Sequence, residues 1–172
     1  MIGVGNPYVV AGAGDAWKAE AAAAGRRGTQ RLLDVRTLTP SDEVRAALAL
    51  GEGELAVVRS RLMLLDDVPV EIADSFYPAS LAASTPLASP AKIKGGAVAV
   101  LASLGRAAAS TIETITARLP RPDELDDLQI GPAEPLLVLM RISLDKEGLA
   151  VEYAVNRMVA GRSEPLEYRV AP

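Results

Sequence analysis

The chain has 172 residues, a formal net charge of -4, a sequence pI near 5.0, and neither cysteine nor histidine. That length supports one domain burying roughly 70% of its unfolded surface, and the acidic balance argues against a nucleic-acid binder in its own right. Without thiol or imidazole there is no disulfide framework, thiol catalysis, zinc site of the Cys/His kind or serine triad with an imidazole base.

Met1 is not followed by a basic start and an apolar stretch, and no run approaches the ~18 apolar residues of a membrane span. A cytoplasmic protein with no membrane partner is expected. Abundant alanine, and arginine in excess of lysine, suit a GC-rich bacterial genome.

In chain order, Asp15 to about Ala24 reads as a short helix with Asp15 as N-cap and Gly25 as the stop. Thr29 to Thr37 alternates as a strand, and Pro40-Ser41-Asp42-Glu43 opens a helix through Val44, Ala47, Leu48 and Leu50 to Gly51. A hairpin follows from about Leu55 to Tyr77. Strand side chains alternate between faces, so Arg59, Arg61, Met63 and Leu65 share one face, and Val58, Leu62 and Leu64 the other. Pairing Leu64 with Val70 and Leu62 with Ile72 aligns the apolar rows and requires a three-residue turn at Asp66, Asp67 and Val68. Arg59, Arg61, Glu71, Ser75 and Tyr77 then share the opposite face.

Residues 78–96 hold Pro78, Pro86, Pro90, Gly95 and Gly96 and read as an irregular connection with at most a helical turn near Ala79 to Ala83. Loops of that length are lids, binding loops or well-packed connections. Ala97 to Leu104 is helical, Ser110 to Leu119 is a β-branched strand, and Pro122-Asp123-Glu124 starts a short helix through Leu125 and Leu128. A second hairpin, Leu136 to Leu144 and Leu149 to Met158, closes at Asp145-Lys146-Glu147-Gly148. A four-residue loop pairs Leu144 with Leu149, Ile142 with Val151, Met140 with Tyr153 and Val138 with Val155, which sets Arg141 opposite Glu152, with Ser143 and Asn156 on the same face. A short strand, Leu166 to Val170, completes about six, with no internal repeat. Two hairpins with helices between them indicate an α+β fold built on an antiparallel sheet.

The Gly12-Ala13-Gly14 turn before a helix and a strand bearing Asp34 looks superficially like a dinucleotide-binding unit, but Trp17 stands where a small residue would permit close packing. Glu113 and the acids Asp123, Glu124, Asp126 and Asp127 lack spacing that compels a metal site. Lys92 and Lys94 could contact an anion with the Gly95 and Gly96 amides, or the segment simply caps a helix. The polar faces of the two hairpins, with Arg59, Arg61, Glu71, Tyr77, Arg141, Glu152 and Asn156, form either one ligand site or ordinary cross-strand ion pairs.

The hairpin Arg59 to Pro78, the loop-helix Ile93-Lys94-Gly95-Gly96-Ala97-Val98, the strand Glu113-Thr114-Ile115-Thr116-Ala117-Arg118, and Glu152-Tyr153 with Glu167-Tyr168-Arg169 together resemble the UTRA effector-binding domain of HutC-type GntR-family regulators. The resemblance runs from about Gly14 to Val170. It implies a chorismate-lyase-like fold of about six antiparallel strands with helices packed on it, a small-molecule effector, homodimerisation, and signalling to an N-terminal winged helix-turn-helix. It places Arg59, Arg61, Glu71 and Glu152 as effector contacts and Gly95 and Gly96 at the pocket helix. Sugar-phosphate-responsive relatives tend to carry serine there, a departure that argues against a phosphosugar. Asn156, Tyr77 and Tyr168 complete the candidate site, the two tyrosines as walls.

The expected organisation is one domain over residues 1–172, of which 1–28 are a lead-in with a short helix, without the winged helix-turn-helix itself. DNA would then be reached only through an absent domain or a partner. The effector should be anionic or hydroxylated; no cofactor, metal or catalytic residue is expected. Rival readings are an enzyme of the chorismate-lyase kind and a dimerisation module without ligand.

Overall fold

The computed structural model describes residues 16–163. Two segments of matching design follow one another. The first runs α1 (Ala16–Ala23), β1 (Gly28–Leu38), α2 (Asp42–Ala47), β2 (Ala56–Leu65), β3 (Val68–Pro78) and α3 (Ala79–Ala82). After a connection containing a 3-10 turn (Pro86–Ala88), the second runs α4 (Gly96–Ser103), β4 (Ser110–Arg118), α5 (Pro122–Leu128), β5 (Leu136–Leu144), β6 (Ala150–Val159) and a 3-10 turn (Ala160–Arg162). The strands form one antiparallel sheet in the order β1-β2-β3-β6-β5-β4, so β3 and β6 are the seam between segments. This is the α+β architecture expected from the two hairpins.

Local chemistry repeats with the elements. Leu38 pairs with Ala56 in the first segment, as Arg118 does with Leu136 in the second. Both turns after the short helix use a left-handed residue, Ala49 and Gln129, each at φ 52°. Both then turn on a glycine whose amide donates to a glutamate three residues on: Gly51 to Glu54 at 2.5 Å and Gly131 to Glu134 at 2.8 Å. The expectation of no internal repeat is therefore corrected. Residue matching hides the duplication because equivalent slots have diverged: buried Val44 on α2 has buried Glu124 as its counterpart on α5.

Helices cover both faces. Val44 and Leu48 of α2 pack with Ala56 and Tyr153, and Leu128 of α5 with Leu62, Ile72, Leu136 and Val138. On the opposite face Trp17 and Ala21 of α1 pack on Met63, Leu65, Val70 and Ala73, while Val100 and Leu101 of α4 meet Val57, Tyr77 and Val151. The face carrying the polar row is thus roofed by α1 and α4. Close approach of α1 depends on Gly28: a Cβ there would lie 2.8 Å from Ala21 Cβ and 2.9 Å from Trp17 Nε1. Trp17 donates to the Thr29 carbonyl at 3.0 Å and the Leu64 carbonyl at 3.3 Å, so the small residue permitting contact lies on the strand rather than the helix.

Both hairpin registers differ in detail from expectation. In the first, Leu62 does face Ile72, but Leu64 faces Pro69 and Leu65 faces Val68, with a register shift at Met63/Leu64. The turn is two residues, because Asp66 and Asp67 both take positive φ (51° and 66°), the geometry of a tight hairpin whose twist matches its strands. The Asp66 carboxylate also anchors the turn by accepting from Arg26 Nε and the Arg27 amide, each at 2.8 Å.

In the second hairpin Ile142 faces Tyr153, Met140 faces Val155 and Val138 faces Arg157, a slide of two residues. Asp145 causes it: its carboxylate accepts the Glu147 and Leu149 amides at 2.9 and 3.0 Å, and its own amide donates to the Leu149 carbonyl. That closes the loop before Leu149 can enter the ladder, and Leu144 pairs with Ala150 instead. An even slide preserves every facing. Arg141 therefore lies opposite Ala154, and Glu152 opposite Ser143, not each other.

Candidate functional site: a cationic cavity between α1 and α4

A cavity of about 420 Å³ opens on the roofed face of β1 and β2. Its floor comes from Gly28, Gln30 and Leu32 of β1 with Arg59 and Arg61 of β2 and Tyr77 of β3; α1 contributes Lys18, the connection before α4 contributes Pro90 to Ile93, and α4 contributes Gly96 and Ala97. The two arginines reach it because alternation sends every second β2 side chain to this face. None of the described lining residues is acidic, whereas Lys18, Arg59, Arg61 and Lys92 are basic. Electrostatics alone favour an anion of modest size.

The arginines differ in what surrounds them. Arg61 is half-buried, donates from Nη2 to Ser75 Oγ at 3.1 Å, and keeps a buried Nε without a hydrogen-bond partner. Arg59 is 7% exposed and gives its guanidinium to backbone carbonyls between Pro86 and Ala91. Burial draws the Arg59 pKa down, Tyr77 opposes that, and neighbouring Arg61 adds to it.

Glu71 does not line the cavity. It lies beneath α1, 2% exposed, with Oε2 making no hydrogen bond. Burial pushes its pKa up to about 7 against the pull of Arg61, Arg141 and Arg157, and Glu20 on α1 adds to the rise. Tyr77 reaches the cavity, yet its hydroxyl donates to Glu152 Oε1 at 2.7 Å, and burial pushes its pKa well above the ordinary phenol value. Glu152 and Asn156 are half-buried on β6 outside the cavity lining. Gly96, at the start of α4, lines the cavity while Gly95 does not; both have positive φ (73° and 79°), and a Cβ on Gly95 would meet Ala99 Cβ at 2.8 Å. Tyr168, the final strand and Asp15 lie outside the described residues.

Of the expected site, the cavity thus gathers Arg59, Arg61, Tyr77 and Gly96. It adds Lys18, Gln30 and Leu32, which sequence reading passed over because only the docking of α1 against β1 brings them beside β2. Glu113 is not a bare surface charge, since it accepts from Arg141 Nε at 2.6 Å. Glu124 likewise exceeds its expected role at a helix start. It is 1% exposed, binds Arg118 through both oxygens at 2.5 and 2.7 Å, and accepts the Arg121 amide at 2.7 Å. Among the described residues no cluster of three or more metal-ligating side chains occurs, and no helix is long and apolar enough to cross a membrane.

The six-stranded antiparallel sheet with helices on both faces defines an α+β domain, and comparison with known proteins gives its family. The UTRA domain family profile matches residues 23–163, and the chain belongs to that family. An uncharacterized HTH-type transcriptional regulator of Streptomyces coelicolor is 30% identical over 146 residues, covering 82% of this chain and 54% of that protein. The chain thus spans about half the length of that curated relative. The effector domain of PhnF from Mycobacterium smegmatis superposes with a TM-score of 0.79 at 23% identity, covering 92% of this chain and 96% of that one. The C-terminal domain of the histidine utilization repressor from Pseudomonas syringae pv. tomato gives 0.70 at 24% identity, covering 85% and 100%.

Proposed function

We propose that this domain senses a small anionic or hydroxylated molecule in the cavity between α1 and α4 and passes the signal to a DNA-binding winged helix-turn-helix. The observation that carries the reading is the cavity lining: basic groups at Lys18, Arg61 and Lys92 around a floor with no acidic member. The Streptomyces relative is an HTH-type transcriptional regulator of which the match covers only 54%, and this supports the second half of the reading. The domain works as a homodimer in a bacterial cytoplasm and acts by binding and release, with no turnover and no cofactor. An effector favouring one of two dimer arrangements shifts the population of the attached heads.

A thermal-shift panel of inorganic phosphate, carboxylates, amino acids and nucleotides, repeated on Arg61→Met, tests it. A ligand at 100 times its dissociation constant stabilises by about 2.7 kcal/mol, and that gain should vanish in Arg61→Met. A ligand that binds equally well to the variant, or is recovered chemically changed, would sink the reading.

A further inference from the structure

Arg59 and Arg61 sit two residues apart on one strand and face the same cavity, yet their surroundings give them different work. Arg59 Nη1 donates toward the carbonyls of Pro86 (3.4 Å), Leu87 (3.1 Å) and Ser89, and Nη2 toward that of Ala91 (3.4 Å). All four acceptors are main-chain oxygens of one connection. Between Pro86 and Ala91 that chain has one 3-10 turn, fixed at its start by Thr85 Oγ1 accepting the Leu87 amide at 3.1 Å. The amides of the segment are bonded locally, Ala88 to the Thr85 carbonyl, Ser89 to the Pro86 carbonyl and Ala91 to Ser89 Oγ, but the Leu87, Ser89 and Ala91 carbonyls take no main-chain donor from it and need an outside one to stay pointing one way. The planar guanidinium fork supplies that where an ammonium, a single point charge, would not.

The segment that Arg59 holds continues directly into the cavity wall at Pro90, Ala91, Lys92 and Ile93. We propose that Arg59 is a positioning residue: it clamps the 86–91 backbone over the cavity through carbonyl hydrogen bonds, and Arg61 alone of the pair meets the bound anion. Two guanidinium groups this close repel, and an anion beside Arg61 offsets that repulsion. Occupancy and loop closure therefore reinforce one another, as reciprocal coupling requires. The consequence for affinity rests on reading the cavity as the effector site, whereas the clamp can be measured in the ligand-free protein.

Hydrogen–deuterium exchange on the ligand-free full chain compares the wild type with Arg59→Met, Arg59→Lys and Arg61→Met. Amides of residues 87–93 should exchange at least tenfold faster in Arg59→Met, with intermediate rates in Arg59→Lys, unchanged or slower rates in Arg61→Met, and protection retained along β5 and β6 in all three. Equal loop protection in wild type and Arg59→Met, or equal loosening in Arg61→Met, would overturn the clamp. Should Arg59→Met not fold, arginine side-chain NMR of the wild type decides: restrained rotation and slowly exchanging Nη hydrogens are expected at Arg59, and free rotation there overturns it. Titration with inorganic phosphate should shift the Arg61 Nε signal and leave Arg59 Nη in place. An Arg59 shift as large as that of Arg61 overturns the division of labour. A loosened loop in Arg59→Met with no response of either arginine to any anion tested would instead keep the clamp and remove the effector reading.

Discussion

The Tyr77 hydroxyl donates to Glu152 Oε1 at 2.7 Å, joining β3 to β6 across the seam where the two segments of the sheet meet. Two side chains that each suggest a ligand contact are thus engaged with one another beside the cavity. Hydrogen bonds to charged groups contribute about 1.5–3 kcal/mol, so Tyr77→Phe should lower stability by that much in urea denaturation. A loss below the error of the measurement would mean the bond is not formed in solution.

Glu71 sets a second test, because its folded pKa of about 7 exceeds the ordinary 4.5. Between those values the native state holds a proton that the unfolded chain has released, so stability falls as pH rises through the window. The cost is absent below about 4.5 and complete above about 7, on the order of 3 kcal/mol. Glu71→Gln should therefore be more stable than wild type at pH 8, with the advantage shrinking toward pH 5. Parallel urea midpoints across that range would refute it.

Glu124 runs the other way. Burial alone would raise its pKa, but hydrogen bonds from Arg118 and the Arg121 amide win and hold it below the usual glutamate value. Its contribution is present above the unfolded pKa and lost as pH falls through the folded one. Glu124→Ala strands Arg118 and weakens the hold on Arg157, so a cost of about 3–5 kcal/mol is expected in equilibrium unfolding at pH 7. A cost near 1 kcal/mol would show that water replaces the carboxylate.

Gly28→Ala probes the seating of α1. The added methyl meets Ala21 and the indole at under 3 Å, an overpacking that costs about 1–3 kcal/mol. Trp17 is the sole tryptophan, so its emission should shift red as the indole leaves its carbonyl partners. Unchanged emission would mean that the helix accommodates the methyl without moving.

Most element positions were legible because the signals were local: Ser41 at its helix start, where Oγ accepts the Val44 amide at 3.3 Å, or the β-branched run from Thr111 to Thr116. Register was less legible, since it turned on Asp66 and Asp67 adopting left-handed backbone and on Asp145 closing its loop early. Neither preference shows in hydrophobic alternation. The polar row was correctly assigned to one face, but the fate of each member was not. Whether an arginine meets solvent, ligand or carbonyl oxygens depends on a connection folded over it from some 30 residues away, as Ser89 and Ala91 are from Arg59. Lys18 and Gln30 carried no signal, because α1 becomes a cavity wall only after it docks.

The matched segments have a consequence for the arginines of β2 and β5. Arg61 and Arg141 hold corresponding places, yet one faces the cavity and the other is paired with Glu113. Two identical polypeptides joined along the same seam would be bound by symmetry to treat both arginines alike. Covalent fusion releases that bond: each copy mutates independently, and a single molecule can keep one arginine open for recognition while committing its twin to the framework.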